Sequence, residues 1–298
     1  MTDIGADARP ASTVMQAFDL GRSKHSVIAC GLCGEVRQMT RTHIPPKAAG
    51  NRSTVGRSRL LVKGNQQASR TRTVDGGLHV YGLCVDCNNL GSLYDGAYSN
   101  MANGLHGLWA QTLGLRLPAQ LTLPAITVKP GGVVRSILIG FAGLAPHIRT
   151  QHPELAAALH HRDLSAVLPE GLRLCLALAR GLTARITSGI GGTFLFGPPL
   201  DGKPPGIMSL AQAYFPPMAW HLAPTDRSLL DLQGWADVSS WLAYDPDIEV
   251  PRPTLVRSLP PVVHPLHDPY QADDWLELVS FDATEIVEAI RLPRNLLS

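Results

Sequence analysis

The sequence predicts an α+β protein whose sheets are mostly antiparallel. Short apolar segments recur along the 298 residues and are separated by 28 glycines and 24 prolines. Because glycine and proline interrupt helices and favour turns, this composition favours many short strands over long helices. Hydrophobic residues make up 45% of the chain and charged residues only 17%, which is enough apolar material for a substantial core. These features together are typical of the α+β class.

We divide the chain into three parts. Residues 1–24 lack any periodicity and are expected to form a flexible N-terminal arm. Residues 25–115 contain the cysteine motifs and form a first domain, and residues 116–298 form an α+β domain of unknown role, with the boundary in a proline-rich segment. The first twenty residues lack the apolar core of a secretory signal, and the apolar residues 133–144 are too few to span a bilayer. We therefore expect a cytoplasmic protein without membrane contact.

The strands predicted for residues 25–115 are short segments bounded by turn residues. Residues 26–29 lead into the first cysteine pair, and residues 78–83 lead into the second. Residues 36–44 form one arm of a hairpin, which must end at Pro45-Pro46 because two prolines cannot continue a hydrogen-bonded ladder. Residues 48–73 are rich in Arg, Ser, Gly, Gln and Asn, and we predict a long exposed loop there with a short strand at residues 59–62.

The predicted helices are segments in which apolar residues lie three and four positions apart. Residues 90–109 show this spacing, with Asn88 or Asn89 placed to cap the helix start. The glycines in this segment each weaken a helix by about 1 kcal/mol relative to alanine and favour a break near Gly104. In the second domain we predict helices at residues 131–144, 153–161 and 282–291, and short antiparallel strands in much of the remainder.

Four cysteines form two Cys-x-x-Cys pairs, Cys30 with Cys33 and Cys84 with Cys87. Each pair directs two sulfurs at one side of an ion, so two pairs close a tetrahedral zinc site with Zn–S distances of about 2.3 Å. Because four thiolates leave no open coordination position, the predicted zinc is structural. A reducing compartment favours metal binding over disulfides, and redox pairing of the cysteines is the alternative.

Basic residues are concentrated between the two cysteine pairs. Residues 36–74 contain nine Lys and Arg and no Asp or Glu, whereas the rest of the chain carries 17 basic and 24 acidic residues. This asymmetry indicates an anionic partner, most simply a nucleic-acid backbone, and a solvated loop is the alternative. The residues predicted to contact phosphates are Arg41, Lys47, Arg52, Arg57, Arg59, Lys63, Arg70 and Arg72.

The order of these motifs resembles a known family. The first motif is a Cys-x-x-Cys pair, the second is a strand ending in His43-Ile-Pro-Pro, and the third is Cys84-Val-Asp-Cys87-Asn88-Asn89, which opens a helix. This order is similar to that of the zinc-stapled His-Asn-His (HNH) endonucleases, which are ββα-metal nucleases. The resemblance covers roughly residues 28–110. It implies a hydrolase that cuts phosphodiester bonds with Mg²⁺ or Mn²⁺, while the cysteines hold Zn²⁺.

The resemblance also implies roles for individual residues. His43 matches the general base that activates water, and Asn88 matches a ligand of the catalytic ion. Thr42 stands where many members have a metal-binding acid, and Asp95, or Asp86 in the second cysteine pair, could supply the missing carboxylate. Asn51 and Asn65 could orient the base or the loop, although turn formation explains them equally well.

Two classes of function follow from these residues. The first is a metal-dependent nucleic-acid phosphodiesterase that uses His43, Asn88 and Asp95, for which DNA is a more expected partner than RNA. The second is a catalytically inactive nucleic-acid-binding or assembly protein held together by the same zinc site. In either case the second domain is available for a protein partner or for self-association.

Overall fold

The computed structural model of the protein describes residues 23–52, 55–63, 66–111, 121–122, 126–179, 184–192, 207–225, 235–251, 258–259 and 284–289. These ranges mix helices with strands, and each strand pair within them is antiparallel, which confirms the predicted α+β class. The predicted arm, except for residues 23 and 24, lies outside the described residues. The predicted domain boundary at residues 115–116 lies outside them as well and stays a prediction.

The elements before the predicted boundary surround the cysteine motifs. They are β1 (Val27–Ala29), β2 (Val36–His43), a 3₁₀ turn (Lys47–Ala49), β3 (Val55–Lys63), β4 (Gln66–Val74), β5 (His79–Cys84), α1 (Val85–Ser92) and α2 (Asp95–Gln111).

The elements after the predicted boundary combine three helices with short and medium strands. The helices are α3 (Pro130–Leu144), α4 (His147–Gln151) and α5 (Pro153–His160). The strands are β6 (Leu121–Thr122), β7 (Thr127–Val128), β8 (Leu172–Leu178), β9 (Ala184–Gly192), β10 (Ile207–Phe215), β11 (Met218–Pro224), β12 (Ala236–Asp237), β13 (Val250–Pro251), β14 (Ser258–Leu259) and β15 (Thr284–Ala289), and a 3₁₀ turn spans Ser239–Ala243.

Two sheets account for most of the strands. A three-stranded sheet has the order β1-β2-β5, and an eight-stranded sheet has the order β12-β8-β11-β10-β9-β15-β3-β4. The β3–β4 hairpin therefore belongs to the same sheet as the strands that follow residue 116. One hydrophobic core also contains residues from both sides of this position, from Cys30 to Leu242.

Helix α3 is the central element of this core. All 15 of its residues are buried, as the apolar sequence from Val133 onward predicts. The helix contacts α2, β5, α1 and the 3₁₀ turn at Ser239–Ala243. Among the helices that the structure describes, none combines the length and the apolar character that a bilayer crossing requires.

The structure corrects four predictions of secondary structure. Residues 55–63 and 66–74 of the predicted loop are paired strands, and residues 284–289 of the predicted terminal helix are strand β15, which lies between β3 and β9. The N-cap of α1 is Cys84, so neither Asn88 nor Asn89 caps it. The helical region is interrupted between α1 and α2, at residues 93–94, and α2 runs through Gly104 without a break.

Candidate metal centre and adjoining cleft

The two cysteine pairs meet at one point between the three-stranded sheet and α1. The ligand atoms of Cys30, Cys33, Cys84 and Cys87 all lie within 4.8 Å of one another. The Sγ atoms of Cys33 and Cys84 are 3.9 Å apart, and a tetrahedral site with Zn–S bonds of about 2.3 Å has sulfur–sulfur edges of about 3.8 Å. The four thiols therefore fit a metal ion such as zinc, as the sequence predicts.

Local backbone geometry brings the sulfurs together. The first pair lies on a turn that ends at Gly34, whose φ of 80° is a left-handed conformation that glycine adopts readily. The second pair opens α1, and the backbone N–H of Cys84 donates a hydrogen bond to Cys30 Sγ at 3.4 Å. The first turn and the end of β5 that leads into the second pair pack tightly on the C-terminal end of α3, because a Cβ at Gly31 would overlap the carbonyl oxygen of Ala142 and one at Gly82 would overlap that of Gly143.

The protonation of the cysteine thiols differs within the cluster. A hydrogen bond from the Cys87 thiol is the main cause that lowers the pKa of Cys30 to about 4, while burial raises the pKa of Cys33 to about 11. The hydrogen bond to Cys30 also raises the pKa of Cys87. Cys30 therefore offers a thiolate to a cation, and a bound cation displaces the protons of Cys33 and Cys87 because metals bind thiolates.

A cleft of about 130 Å³ lies beside the cysteine centre and is lined by the predicted catalytic and ion-binding residues. Its lining includes His43, Asn88 and Asp95, together with Arg41, Thr42 and Lys47. These side chains come from β2, the 3₁₀ turn at Lys47–Ala49, α1 and the first residue of α2. The volume is sufficient for several water molecules or a partly hydrated ion.

His43 is held in one orientation at the end of β2. Its Nε2 lies 2.8 Å from the carbonyl oxygen of Gly76, and because a carbonyl only accepts, Nε2 carries the proton and Nδ1 is the acceptor. Burial is the main cause that lowers the pKa of His43 to about 4; the hydrogen bond to Gly76 opposes this shift, and the charges of Lys47 and Arg41 contribute to it. The imidazole is therefore neutral near pH 7, the form that can take a proton.

Asn51 fixes the turn that follows His43. Its Nδ2 donates to the carbonyl oxygens of Pro45 (2.7 Å) and Leu78 (2.8 Å), and its Oδ1 accepts from the backbone N–H of Leu78 at 2.6 Å. Because Asn51 is only 1% exposed, these bonds connect the end of β2 to the residue before β5 inside the core. Asn51 thus holds the residues after β2, which ends at His43, against the residue before β5. Asn65 lies outside the described residues.

Asn88 and Asp95 present oxygen atoms to the cleft. The Nδ2 of Asn88 donates to the carbonyl oxygen of Arg41 at 3.3 Å, which leaves its Oδ1 as an acceptor. One carboxylate oxygen of Asp95, Oδ1, accepts a hydrogen bond from Ser136 Oγ at 3.3 Å. Asp86, the alternative acid, does not line the cleft, and its Oδ2 instead accepts from Arg37 Nη1 at 2.6 Å on the surface.

Thr42 occupies the position of the expected metal-binding acid. It is 4% exposed and lines the cleft, and its Oγ1 has no hydrogen-bond partner among the described residues. An unsatisfied buried hydroxyl is costly, and an ion or an ordered water in the cleft would satisfy it. Oxygen donors of this kind suit a hard cation that retains several waters. In the described part of the chain, the four cysteines are nevertheless the only close group of three or more His, Cys, Asp or Glu ligands.

The predicted phosphate-contacting residues divide into two groups. Arg41 and Lys47 are exposed at the cleft, and the exposed Arg52 donates through Nε to the carbonyl oxygen of Lys47 at 3.0 Å. The second group is on the β3–β4 hairpin, and its side chains lie outside the described structure. The backbone register pairs Arg57 with Arg72 and Arg59 with Arg70, and Lys63 with Gln66.

Three lining residues come from α3 and are missing from the predicted site. They are Ser136, Ile139 and Gly140. The sequence around them is an apolar run that indicates only a buried helix. A serine within that run is the one signal that could have identified a contact with a polar site.

Comparison of the chain with protein-family models, with curated proteins and with solved structures finds no match. The resemblance to the HNH endonucleases therefore stays a prediction from the motifs quoted above.

Asp95 is expected to lower the stability of the folded protein at neutral pH. Burial raises its pKa from 3.8 to about 6, although the hydrogen bond from Ser136 opposes this shift. The protonated carboxyl favours the folded state, so its contribution to the free energy of unfolding is complete below the unfolded-state pKa of Asp95. This contribution is lost as the pH rises through about 6. Asp95→Asn should therefore raise the Tm by a few degrees at about pH 8, and the difference from wild type should close near pH 4.

Thermal unfolding followed by circular dichroism at both pH values measures this difference. Asp163→Asn is the control, because hydrogen bonds from Ser165 lower the pKa of this exposed carboxyl and its replacement brings no such gain. An unchanged or lower Tm for Asp95→Asn at about pH 8 would show that the ionised Asp95 carboxylate does not destabilise the folded protein.

Proposed function

We propose that the protein is a metal-dependent nucleic-acid phosphodiesterase of the HNH type, built around a structural zinc centre. The observation that carries the proposal is a single cleft that His43, Asn88 and Asp95 line together with Arg41 and Lys47. A neutral histidine, oxygen donors for an ion and positive charge at one site are the groups that hydrolysis of a phosphodiester requires. Cleavage of nucleic acid on addition of Mg²⁺ or Mn²⁺, and its loss in His43→Ala, tests the proposal.

The two metal sites have different tasks. The four cysteines would hold zinc with no open position, which suits a structural role. Asp95 and Asn88 would hold Mg²⁺ or Mn²⁺ in the cleft, with Thr42 Oγ1 and water as further oxygen donors. A hard cation bound there would stabilise the charge that develops on the scissile phosphate and the leaving oxygen.

His43 is the general base. The Gly76 carbonyl holds the Nε2 proton, so Nδ1 takes the proton from a water molecule in the cleft. The low pKa keeps His43 available in its neutral form but makes it a weak base in the free protein. A bound phosphate brings negative charge, which offsets the effect of Arg41 and Lys47 and raises the pKa of His43 toward the range of an efficient base.

The β3–β4 hairpin is the second phosphate-binding element. Like charges directly opposite each other weaken an antiparallel pair, and an anion between them offsets the repulsion. The pairing of Arg57 with Arg72 and of Arg59 with Arg70 therefore favours an anionic partner for the hairpin.

Salt dependence tests this role of the hairpin. We expect the affinity of wild type for nucleic acid to fall steeply with salt, and replacement of Arg57 and Arg59 by alanine should reduce the slope of log K against log salt by about two. Fluorescence anisotropy with a labelled oligonucleotide over a salt series measures the slope. Arg37→Ala is the control, since Glu35 and Asp86 already neutralise Arg37. A slope that the double replacement leaves unchanged would remove the hairpin from the interface.

A binding protein without catalysis is the second candidate. Thr42, a hydroxyl where a carboxylate is expected, favours it, because a hydroxyl is a weaker ligand for Mg²⁺ than a carboxylate. In this case the cysteine centre and the basic hairpin keep their roles, and nucleic acid is bound without being cut.

A further inference from the structure

Helix α3 forms one wall of the cleft, although it lies outside residues 25–115. A Cβ at Gly91 of α1 would lie 3.1 Å from Ile139 Cγ2, and one at Gly140 would lie 3.4 Å from Ile44 Cγ1. The helix therefore packs directly on α1 and on the residue that follows β2. The elements that carry Asn88 and His43 are thus positioned against α3.

Ser136 is the polar side chain that α3 contributes to this wall. It is 6% exposed, and its hydroxyl lies 3.3 Å from Oδ1 of Asp95. The other polar side chain of the helix, Arg135, is directed elsewhere and donates to backbone carbonyls of Gly131, Tyr244 and Asp163. A hydroxyl in an apolar buried helix costs free energy unless it is hydrogen-bonded, and here its partner is a carboxylate of the cleft.

The hydrogen bond leaves the second carboxylate oxygen available. Within the described residues, Oδ2 of Asp95 has no hydrogen-bond partner, whereas Oδ1 is held by Ser136. A carboxylate with one oxygen fixed by a neighbouring donor presents the other in a defined direction, which is how outer-shell groups orient metal ligands.

We propose that Ser136 is a positioning residue for Asp95, so that α3 is part of the ion-binding cleft. The inference rests on the proposed function, because it assigns Asp95 the role of holding the divalent ion. It adds a residue that the HNH resemblance does not supply and makes residues 25–115 incomplete as a site on their own.

A matched pair of serines separates positioning from stability. Ser99 is also buried, at 5% exposed, and its hydroxyl donates to the backbone carbonyl oxygen of the same Asp95 at 2.7 Å, yet Ser99 does not line the cleft. Ser136→Ala and Ser99→Ala thus each remove one buried hydroxyl bonded to Asp95, but only the first changes the carboxylate. Alanine favours helices more than serine does, so both variants are compatible with their helices.

The experiment is a calorimetric titration of the full-length, zinc-loaded protein with MnCl₂ at one fixed pH. We expect Ser136→Ala to bind Mn²⁺ roughly tenfold more weakly than wild type, as is typical for loss of a hydrogen bond to a charged group. Ser99→Ala should keep wild-type affinity, and Ser136→Thr, which retains the hydroxyl, should restore it. Zinc content and Tm, measured on the same samples, show that each variant is folded.

The outcomes separate the inference from the proposed function. Mn²⁺ affinity that Asp95→Asn leaves unchanged would overturn the role of Asp95 and, with it, the proposed metal site. A normal dependence on Asp95 with wild-type affinity in Ser136→Ala would overturn the positioning role alone. Equal losses in Ser136→Ala and Ser99→Ala would also overturn it, because the effect would then come from helix stability. If the added methyl group of Ser136→Thr lowers its Tm, the comparison of the two alanine variants decides.

Discussion

Replacing Cys84 with serine is expected to abolish metal binding and to unfold the structure around the cysteine centre. Structural zinc contributes about 10–16 kcal/mol of apparent binding free energy, comparable to the whole stability of a typical domain, about 5–15 kcal/mol. Serine does not supply a thiolate, and three ligands hold the ion far less tightly. The loss should extend beyond the site because the ion joins the turn after β1 to the start of α1, and Gly31 and Gly82, close to the cysteines, pack on the C-terminal end of α3.

Metal analysis and circular dichroism of the purified protein measure this effect. Wild type should contain about one tightly bound zinc per chain, and Cys84→Ser should contain none and lose ordered structure. Cys175→Ser is the control, since Cys175 is a buried cysteine of β8 that does not belong to the cluster. Wild-type protein that is folded without bound metal, or Cys84→Ser with its zinc retained, would contradict the assignment.

Replacing His43 with alanine is expected to abolish cleavage while leaving nucleic-acid binding intact. The variant removes the Nδ1 acceptor, and loss of a general base typically slows a reaction by about 10²–10⁴-fold. Binding should persist because His43 is neutral and contributes no charge to the phosphate contacts. Initial cleavage rates and anisotropy, measured on the same preparations, give the two quantities.

Two further samples make this result specific. His106→Ala is the control, because His106 lies on α2 against Trp109 and does not line the cleft. Added imidazole should restore part of the activity of His43→Ala by supplying the missing base. Wild-type cleavage rates in His43→Ala, at normal metal dependence, would remove His43 from the mechanism.

The parts of the structure that were predicted correctly are those that local sequence motifs determine. The spacing of the two cysteine pairs indicated a single cluster, and Pro45-Pro46 indicated the end of β2 next to His43. The uninterrupted apolar sequence after Val133 indicated a buried helix, which is α3. In each case the determining interaction lies within a few residues or follows from side-chain chemistry.

Contacts between distant residues explain the parts that were predicted wrongly. Apart from residues 59–62, the residues of strands β3 and β4 were predicted as a loop, yet β3 pairs on one side with β4 and on the other with β15, more than two hundred residues later. The same pairing overrides the helical reading of residues 284–289. Gly104 lies inside α2 and does not break it, and a Cβ at this position would lie only 3.0 Å from Ile126 Cγ2, so the glycine allows Ile126 to pack closely on the helix.

The residues that line the cleft also depend in part on contacts between distant positions in the sequence. His43, Asn88 and Asp95 come from one stretch of sequence and could be named from the motif, although their roles remain predictions. Ser136 reaches Asp95 from 41 residues further along the chain. Only the fold brings α3 to this wall, so a short sequence motif could not include it.

Cleavage of nucleic acid by the zinc-loaded protein, with and without added Mn²⁺, tests the proposed function most directly. The assay should include single-stranded and double-stranded DNA and RNA, with product ends separated on denaturing gels. We predict that wild type cuts only when the second ion is supplied, and that His43→Ala and Asp95→Asn leave the substrate intact. Wild-type protein that carries its zinc, binds the nucleic acid and cuts none of these substrates would contradict the account and establish the binding role instead.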